Sequence, residues 1–343
     1  MKVLVVGTGS IGRRHISNLM HLGAEVAAFS YRAAEGVPCS SHAGVRLVEN
    51  LQDAMQEDFD GIVVANRTDL HMDVALEVAR RKKGIFIEKP LSVSLAGCEE
   101  LQALTESHAL VVEAGFMLRF HPNLVWIKQY LTDGALGELM HLRASVGQWL
   151  PDWRPGTDHR TGYGAFRKTG GGVIFDLIHE LDLVHWLAGT VVDVTAMTRY
   201  VECLGIETEA IAQIGLRLES GALAQVHLDY VRPGYGRTLE IIGTLGLLSW
   251  DYPMGTVSLS RSDGSSDIVH RVSSGFDRNT MFRAHMAHFL RRLSVPELQP
   301  SSSLEDGINA IQIALACHRS ANERRCIRPE EIDFCFQLKE KHL

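Results

Sequence analysis

Apolar residues come first in short unbroken runs and later in alternation, and the change of rhythm divides the chain. Lys2-Val3-Leu4-Val5-Val6, Gly61-Ile62-Val63-Val64-Ala65, Gly84-Ile85-Phe86-Ile87 and Leu110-Val111-Val112-Glu113-Ala114-Gly115 are nearly continuous apolar runs closed by turn residues. Runs of this length, rich in β-branched side chains, predict strands buried on both faces. Glu25–Phe29 predicts a second strand and residues 45–48 a third. Helical spacing between them predicts a helix ending at Gly23, a short one over residues 50–57 and one over residues 70–81. Strand and helix alternating at this spacing predict an α/β fold with a doubly wound parallel sheet.

After Arg119-Phe120-His121-Pro122 the rhythm changes. A helix is predicted over residues 123–131, a strand over 141–146, then a polar and aromatic loop over 148–169. A loop of that length inside a domain is usually functional or disordered. Ala210, Ala212, Ile214, Leu216 and Leu218, the turn Ser220-Gly221, then Ala222, Ala224, Val226, Leu228 and Tyr230 alternate with polar residues. That period of two predicts an antiparallel hairpin. Strands over 238–242 and 247–252 follow, a loop or edge hairpin over 261–274, and helices over 278–293 and 304–322. The expected domains are residues 1–121 and 122–343.

Composition narrows the picture. The 343 residues suit two domains, and 45% hydrophobic residues supply a core for each. The net charge of −7, with no block of like charge, argues against a nucleic-acid or membrane-surface partner. Cys39, Cys98, Cys203, Cys317, Cys326 and Cys335 show no CxxC spacing. They read as reduced thiols of a cytoplasmic protein. The apolar run from Val3 is too short for a secretory signal and ends in Gly7, so none is expected. No apolar run is long enough to span a bilayer.

The candidate chemistry starts at Gly7-Thr8-Gly9-Ser10-Ile11-Gly12, set between the first strand and the first helix. This is the dinucleotide-binding pattern. Gly7 permits the sharp turn, Gly9 lets backbone approach a pyrophosphate, and Gly12 lets the helix pack on its strand. The helix start then holds phosphate through free N–H groups and its dipole. The second strand ends in Ser30-Tyr31-Arg32, without the carboxylate that holds the ribose hydroxyls in NAD sites. A hydroxyl and a guanidinium suit a 2′-phosphate, so NADP is favoured over NAD. The alternative is that Arg32 is solvated and Glu35 reaches the ribose. Glu88-Lys89-Pro90 closes another strand, and an ammonium there can stabilise charge on a substrate oxygen or hold a proton.

The second constellation is Gly170-Gly171-Gly172 followed by one predicted helix with Asp176, His179 and Glu180 on a shared face. Asp176 stands three residues before His179, a spacing at which the two can touch on a helix. A carboxylate beside an imidazole fixes its tautomer and suits a general acid/base. Ile174, Leu177, Ile178, Leu181 and Val184 make the apolar stripe of that helix. No metal is expected: His179-Glu180 lacks a second His at HExxH spacing, and His285 with His288 read as a solvated helix face.

In combination, Gly7-x-Gly9-x-x-Gly12, Glu88-Lys89-Pro90, Arg119-Phe120-His121-Pro122 and Gly170-Gly171-Gly172…Asp176…His179…Asp182 resemble the Gfo/Idh/MocA family nearly end to end. The resemblance implies an N-terminal Rossmann domain and a C-terminal α/β domain with a large, mostly antiparallel open sheet. It implies NAD(P)-linked oxidation or reduction of a sugar, cyclic polyol or related carbonyl compound, with Lys89 and His179 as catalytic pair and Asp176 assisting. The family pattern places the Asp four residues before the His, whereas Asp176 stands three before His179; Asp176 as relay partner departs from the pattern there, and Asp182 is a structural candidate. The family pattern also has Pro in the turn after the fourth strand, where Asn66-Arg67-Thr68 stands here. The expected cofactor side is Gly7, Thr8, Gly9, Ser10, Ile11, Gly12, Ser30, Arg32, Asn66, Thr68, His71, Glu88 and Lys89. The expected substrate side is Arg119 with the loop residues Arg154, His159, Arg160 and Tyr163. A homodimer or homotetramer through the second sheet would cover its open face. The rivals are a dinucleotide-binding sensor or scaffold without chemistry, and a reductase of a non-sugar carbonyl compound.

Overall fold

The computed structural model describes residues 1–31, 44–154 and 156–334. Arg32 and Glu35, the two candidates at the ribose, lie outside the described residues, as do Cys39, Pro155 and Cys335. The chain divides into two compact units: Met1–Phe120 with Asp277–Ile308, and His121–Phe276 with the chain from Asn309 on.

In the first unit, β1 (Lys2–Val6), β2 (Glu25–Phe29), β3 (Arg46–Val48), β4 (Gly61–Val64), β5 (Gly84–Ile87) and β6 (Val112–Ala114) pair in parallel, in the order β3-β2-β1-β4-β5-β6. The connecting helices include α1 (Ser10–His21), α2 (Leu51–Ala54), α3 (His71–Arg80) and α4 (Cys98–His108). This is the predicted doubly wound sheet, with the strand order reversing between β1 and β4, where ligands bind such sheets. The register puts Phe29, Val6, Val64, Ile87 and Ala114 in one row. The residues that follow, Ser30, Gly7, Ala65, Glu88 and Gly115, therefore form one rim at the carboxyl ends.

The domain expectation is corrected at one segment. α8 (Arg278–Ser294), expected in the second domain, packs in the first: Met286 and Phe289 share a core with Val3, Val5, Val63 and Phe86. Helical periodicity announces an apolar face but not the sheet it covers. His285 is corrected with it. Its ring is buried, 4.8 Å from Phe86 and 4.8 Å from Phe120, not on a solvated face. Glu113 on β6 is the buried clasp of this unit. It accepts hydrogen bonds from the Arg292 guanidinium (3.0 Å) and from the N–H groups of Ser301 (2.9 Å) and Ser302 (3.2 Å), and from the Ser301 hydroxyl.

The second unit opens with α5 (Pro122–Thr132) and β7 (Leu139–Gly147). Two short helices follow, α6 (Val173–Asp176) and α7 (His179–Ala188), then β8 (Val191–Arg199), β9 (Ile211–Leu218), β10 (Leu223–Asp229), β11 (Gly236–Gly243), β12 (Gly246–Asp251), β13 (Thr256–Ser260) and β14 (Ser266–Arg271). The strands form an eight-stranded sheet, β14-β13-β12-β11-β7-β10-β9-β8, antiparallel except at the β7–β10 pair. The predicted hairpin is β9–β10, and its alternating residues from Ala212 to Tyr230 are buried on one face. The β8 and β13 strands were not predicted. α9 (Leu304–Glu323) begins in the first unit and continues in the second. Among the described residues no helix is long and apolar enough to cross a membrane.

Glu113→Ala leaves the buried Arg292 without its carboxylate, a loss worth about 3–5 kcal/mol. Urea unfolding should show it by circular dichroism. Fluorescence reads the other unit, because Trp126, Trp149, Trp153, Trp186 and Trp250 all lie in His121–Phe276.

Candidate functional site

In the first unit the rim is shaped by what glycine leaves out. Gly7 turns at φ 109°, and a Cβ there would press on the carbonyl of Ala65 and the amide of Asn66. A Cβ on Gly12 would overlap the Gly7 carbonyl oxygen. Gly9 differs: a Cβ there would meet nothing within 4 Å, so its backbone faces open space. It caps α1 with no side-chain hydrogen bond, which leaves the helix start available to an anion. Arg13, Arg14 and Arg278 line a cleft of about 460 Å³ that Ser10 borders. The Asn66 amide oxygen is buried without a hydrogen-bond partner among the described residues. A glycine cradle, a free helix start and positive charge fit a dinucleotide's phosphates.

The other cofactor-side candidates divide. Thr8, Ile11 and Lys89 are half-buried at the rim, Ser10 is exposed, and Ser30 and Thr68 are buried. His71 is buried with Nδ1 2.9 Å from the Pro90 carbonyl and Nε2 3.3 Å from that of Asn66. It ties the two turns together, and burial holds its pKa below the ordinary value against both carbonyls. Glu88 is not open to a ligand as expected: its carboxylate is buried, 2.6 Å from His15 Nε2. Arg119 is also buried, and its guanidinium meets Asp306 (3.0 Å) and the Ser301 carbonyl (2.9 Å). Its charge is matched inside this unit.

In the second unit the predicted single helix is two. Leu177 leaves helical geometry at φ −103°, ψ 26°, so Asp176 ends α6 and His179 begins α7. The argument from one shared helix face does not hold for this pair. Both Leu177 and Ile178 are buried at the break, so packing there overrides the helical period. Asp176 is held by two phenols. Tyr230 donates to it at 2.7 Å, and the Tyr163 hydroxyl donates as well. The negative charge of Asp176 and burial raise the Tyr163 pKa, partly offset by Arg154, which hydrogen-bonds that hydroxyl and stands 5.3 Å over its ring. His179 is buried, and the next residue, Glu180, pairs with the buried Arg237 at 2.7 and 3.2 Å.

The loop over 148–169 folds as short 3-10 turns at Leu150–Trp153, His159–Thr161, Tyr163–Ala165 and Arg167–Thr169. It brings Tyr163 to Asp176 and Arg154 to Tyr163. It does not bring His159 or Arg160 there in the same way: His159 Nε2 is bonded to the Leu204 carbonyl at 2.9 Å, and exposed Arg160 is paired with Asp158 at 2.8 Å. Sequence reasoning missed Tyr230, Arg237, His15 and Glu209. Glu209 sits behind the glycine run, its Oε1 accepting from the Ile174 amide at 3.2 Å and 4.0 Å from His318 Nε2. Burial pushes its carboxyl up to about 7 and takes His318 down to about 3. The signal was a lone Glu before a strand, which looks the same when exposed. Among the described residues no group of His, Cys, Asp and Glu could hold a metal ion.

The profile of an oxidoreductase family with an NAD-binding Rossmann fold matches residues 1–116, and that of the GFO/IDH/MocA C-terminal domain matches residues 124–249. The chain belongs to the Gfo/Idh/MocA oxidoreductase family. It is 28% identical over 337 residues to an uncharacterized oxidoreductase, YrbE, of Bacillus subtilis, covering 92% of this chain and 93% of that protein. It is 27% identical over 342 residues to an inositol 2-dehydrogenase/D-chiro-inositol 3-dehydrogenase of Lacticaseibacillus casei, covering 95% and 94%. A solved levoglucosan dehydrogenase in complex with NADH and L-sorbose has the same fold, with a TM-score of 0.82 at 17% identity over 96% of this chain and 98% of that one. As in the family pattern, this member carries Lys89 after its fifth strand and His179 after its glycine run.

Glu209 gives this unit a pH signature. Its pKa in the fold, about 7, exceeds the ordinary 4.5. Its contribution to stability is full below pH 4.5, where folded and unfolded chains both hold the proton, and is lost as pH rises through about 7. Glu209→Gln should remove that loss, about 3 kcal/mol across the window, when tryptophan-detected unfolding is compared with the parent protein from pH 4.5 to 7.5.

Proposed function

We propose that this family member transfers a hydride between a nicotinamide dinucleotide and the CH–OH or carbonyl carbon of a sugar, cyclic polyol or sugar derivative. The observation that carries the reading is the rim of the first unit, where the glycine cradle and Lys89 follow strands aligned in one register. The inositol dehydrogenase activity in the name of the Lacticaseibacillus casei relative supports the substrate class. The bound nicotinamide supplies the hydride acceptor or donor. Lys89 presents its ammonium to the reacting oxygen and stabilises negative charge on it. His179 takes the hydroxyl proton in oxidation and returns it in reduction. Asp176, held by Tyr163 and Tyr230, assists electrostatically, and Arg154 and Tyr163 contact substrate hydroxyl or acidic groups.

NADP is favoured over NAD because no carboxylate stands in Ser30-Tyr31-Arg32 after β2. The open face of the eight-stranded sheet serves self-association as a homodimer or homotetramer, and a sedimentation mass of one chain overturns that part.

A panel of cyclic polyols, sugars and nucleotide sugars, followed by absorbance with each dinucleotide, tests the reading. Lys89→Ala and His179→Ala should each lower kcat about 10²- to 10⁴-fold. Arg32→Ala should erode the preference for NADPH about tenfold. Unchanged turnover in both site variants rejects the assignment of Lys89 and His179.

A further inference from the structure

Beneath the turn that bears Lys89 lies a buried pair to which the proposed chemistry gives no task. His15 is on α1, the helix whose start fits phosphate, and Glu88 is the residue after β5. Both are almost fully buried, and His15 Nε2 is 2.6 Å from Glu88 Oε1. The second oxygen of Glu88 accepts the backbone N–H of Lys89 at 3.1 Å. Burial by itself would raise the Glu88 pKa, but the hydrogen bond and charge of His15 and the charge of Lys89 outweigh it and hold the carboxyl below its ordinary value. An ionised carboxylate only accepts, so the proton between the two belongs to His15 Nε2.

The surroundings leave this pair little freedom. His15 Nδ1 has no hydrogen-bond partner among the described residues, and the ring is located edge-on by Phe86 at 5.3 Å and Phe282 at 6.2 Å. On the rim, a Cβ on Gly115 would lie 2.9 Å from Glu88 Cα and 3.0 Å from its Oε2. On the far side of the turn His71 holds the Pro90 carbonyl. Two imidazoles, one from α1 and one from α3, thus grip Glu88-Lys89-Pro90 at both ends. The long Lys89 side chain has many rotamers, and only its root can be fixed by backbone.

We propose that the His15–Glu88 pair positions Lys89: it fastens the turn that roots the ammonium to the helix that receives phosphate, and sets a fixed negative charge beside that ammonium. The inference rests on the reading of Lys89 as a group acting on substrate. His15 and Glu88 are positioning residues and touch neither substrate nor nucleotide.

The test has one readout on the ligand-free protein and one on turnover. In the first, the rate at which acetic anhydride labels Lys89 is followed by peptide mass spectrometry at fixed pH. Glu88→Gln, nearly isosteric, and His15→Leu should both speed labelling, because loss of the fixed charge favours the free amine. His15→Gln, which keeps an N–H donor, should label at the native rate. In the second, His15→Leu and Glu88→Gln should lower kcat about 100-fold while the KM for NADPH moves less than about threefold, with His15→Gln recovering most of the loss. Native labelling and native kcat in folded Glu88→Gln overturn the proposal, and that variant decides should His15→Leu fail to fold. If Lys89→Ala itself leaves kcat unchanged, the functional reading falls, while the labelling contrast still decides whether the pair governs Lys89.

Discussion

The lateral register of five parallel strands decides where chemistry can lie in the first unit. Phe29, Val6, Val64, Ile87 and Ala114 stand side by side, so the chain leaves the sheet at one level five times. The next amides continue the ladder: Gly7 N–H reaches the Phe29 carbonyl, Ala65 that of Val6, Glu88 that of Val64 and Gly115 that of Ile87. Side chains on that rim inherit the precision of the sheet. A loop could not hold Lys89 and a glycine cradle in such register, because loop backbone is not tied to its neighbours.

Buried glutamates are the second constraint, and they follow one rule. Glu88 has His15, Glu113 has Arg292 and Glu180 has Arg237. Each bridges elements far apart in sequence, so it specifies which pieces meet as well as adding hydrogen bonds. Such pairs gain little net stability over apolar residues, and losing one partner is what costs. Glu209 is the exception that shows why partners matter. Its near neighbour His318 is itself driven toward the neutral state by burial and by Arg167, so it offers no countercharge. The carboxyl answers by keeping its proton up to about pH 7.

What could be read from the chain, and what could not, follows from the range of the forces involved. The limits of β2 and β5 were legible because a strand buried on both faces needs an unbroken apolar run, and the turns beside it need glycine or polar residues. The β9–β10 hairpin was legible from its period of two. The β8 strand, which lies at a sheet edge with much of it open to solvent, keeps only a partial alternation and was missed. The placement of α8 in the first unit, the burial of His285 and the inward turn of Glu88 depend on partners dozens to hundreds of residues away. Nothing local encodes them. In the site the residue types were legible, but His159 and Arg160 went to partners of their own within the loop and the 202–204 turn.

The break between α6 and α7 has the largest effect on the second unit. In a continuous helix, the period alone would set the placement of Asp176 relative to His179. Leu177 is out of helical geometry, and Asp176 meets Tyr163 from the loop and Tyr230 just after β10. Arg154 also hydrogen-bonds the Tyr163 hydroxyl. Trp153 packs edge-on against Tyr230 at 5.2 Å and donates to the Gln148 carbonyl, so the loop and the sheet position the two phenols together. The polar loop is thereby connected through one carboxylate to the segment that leads into the helix beginning at His179, so a change at Tyr163 or Arg154 alters the electrostatics around Asp176.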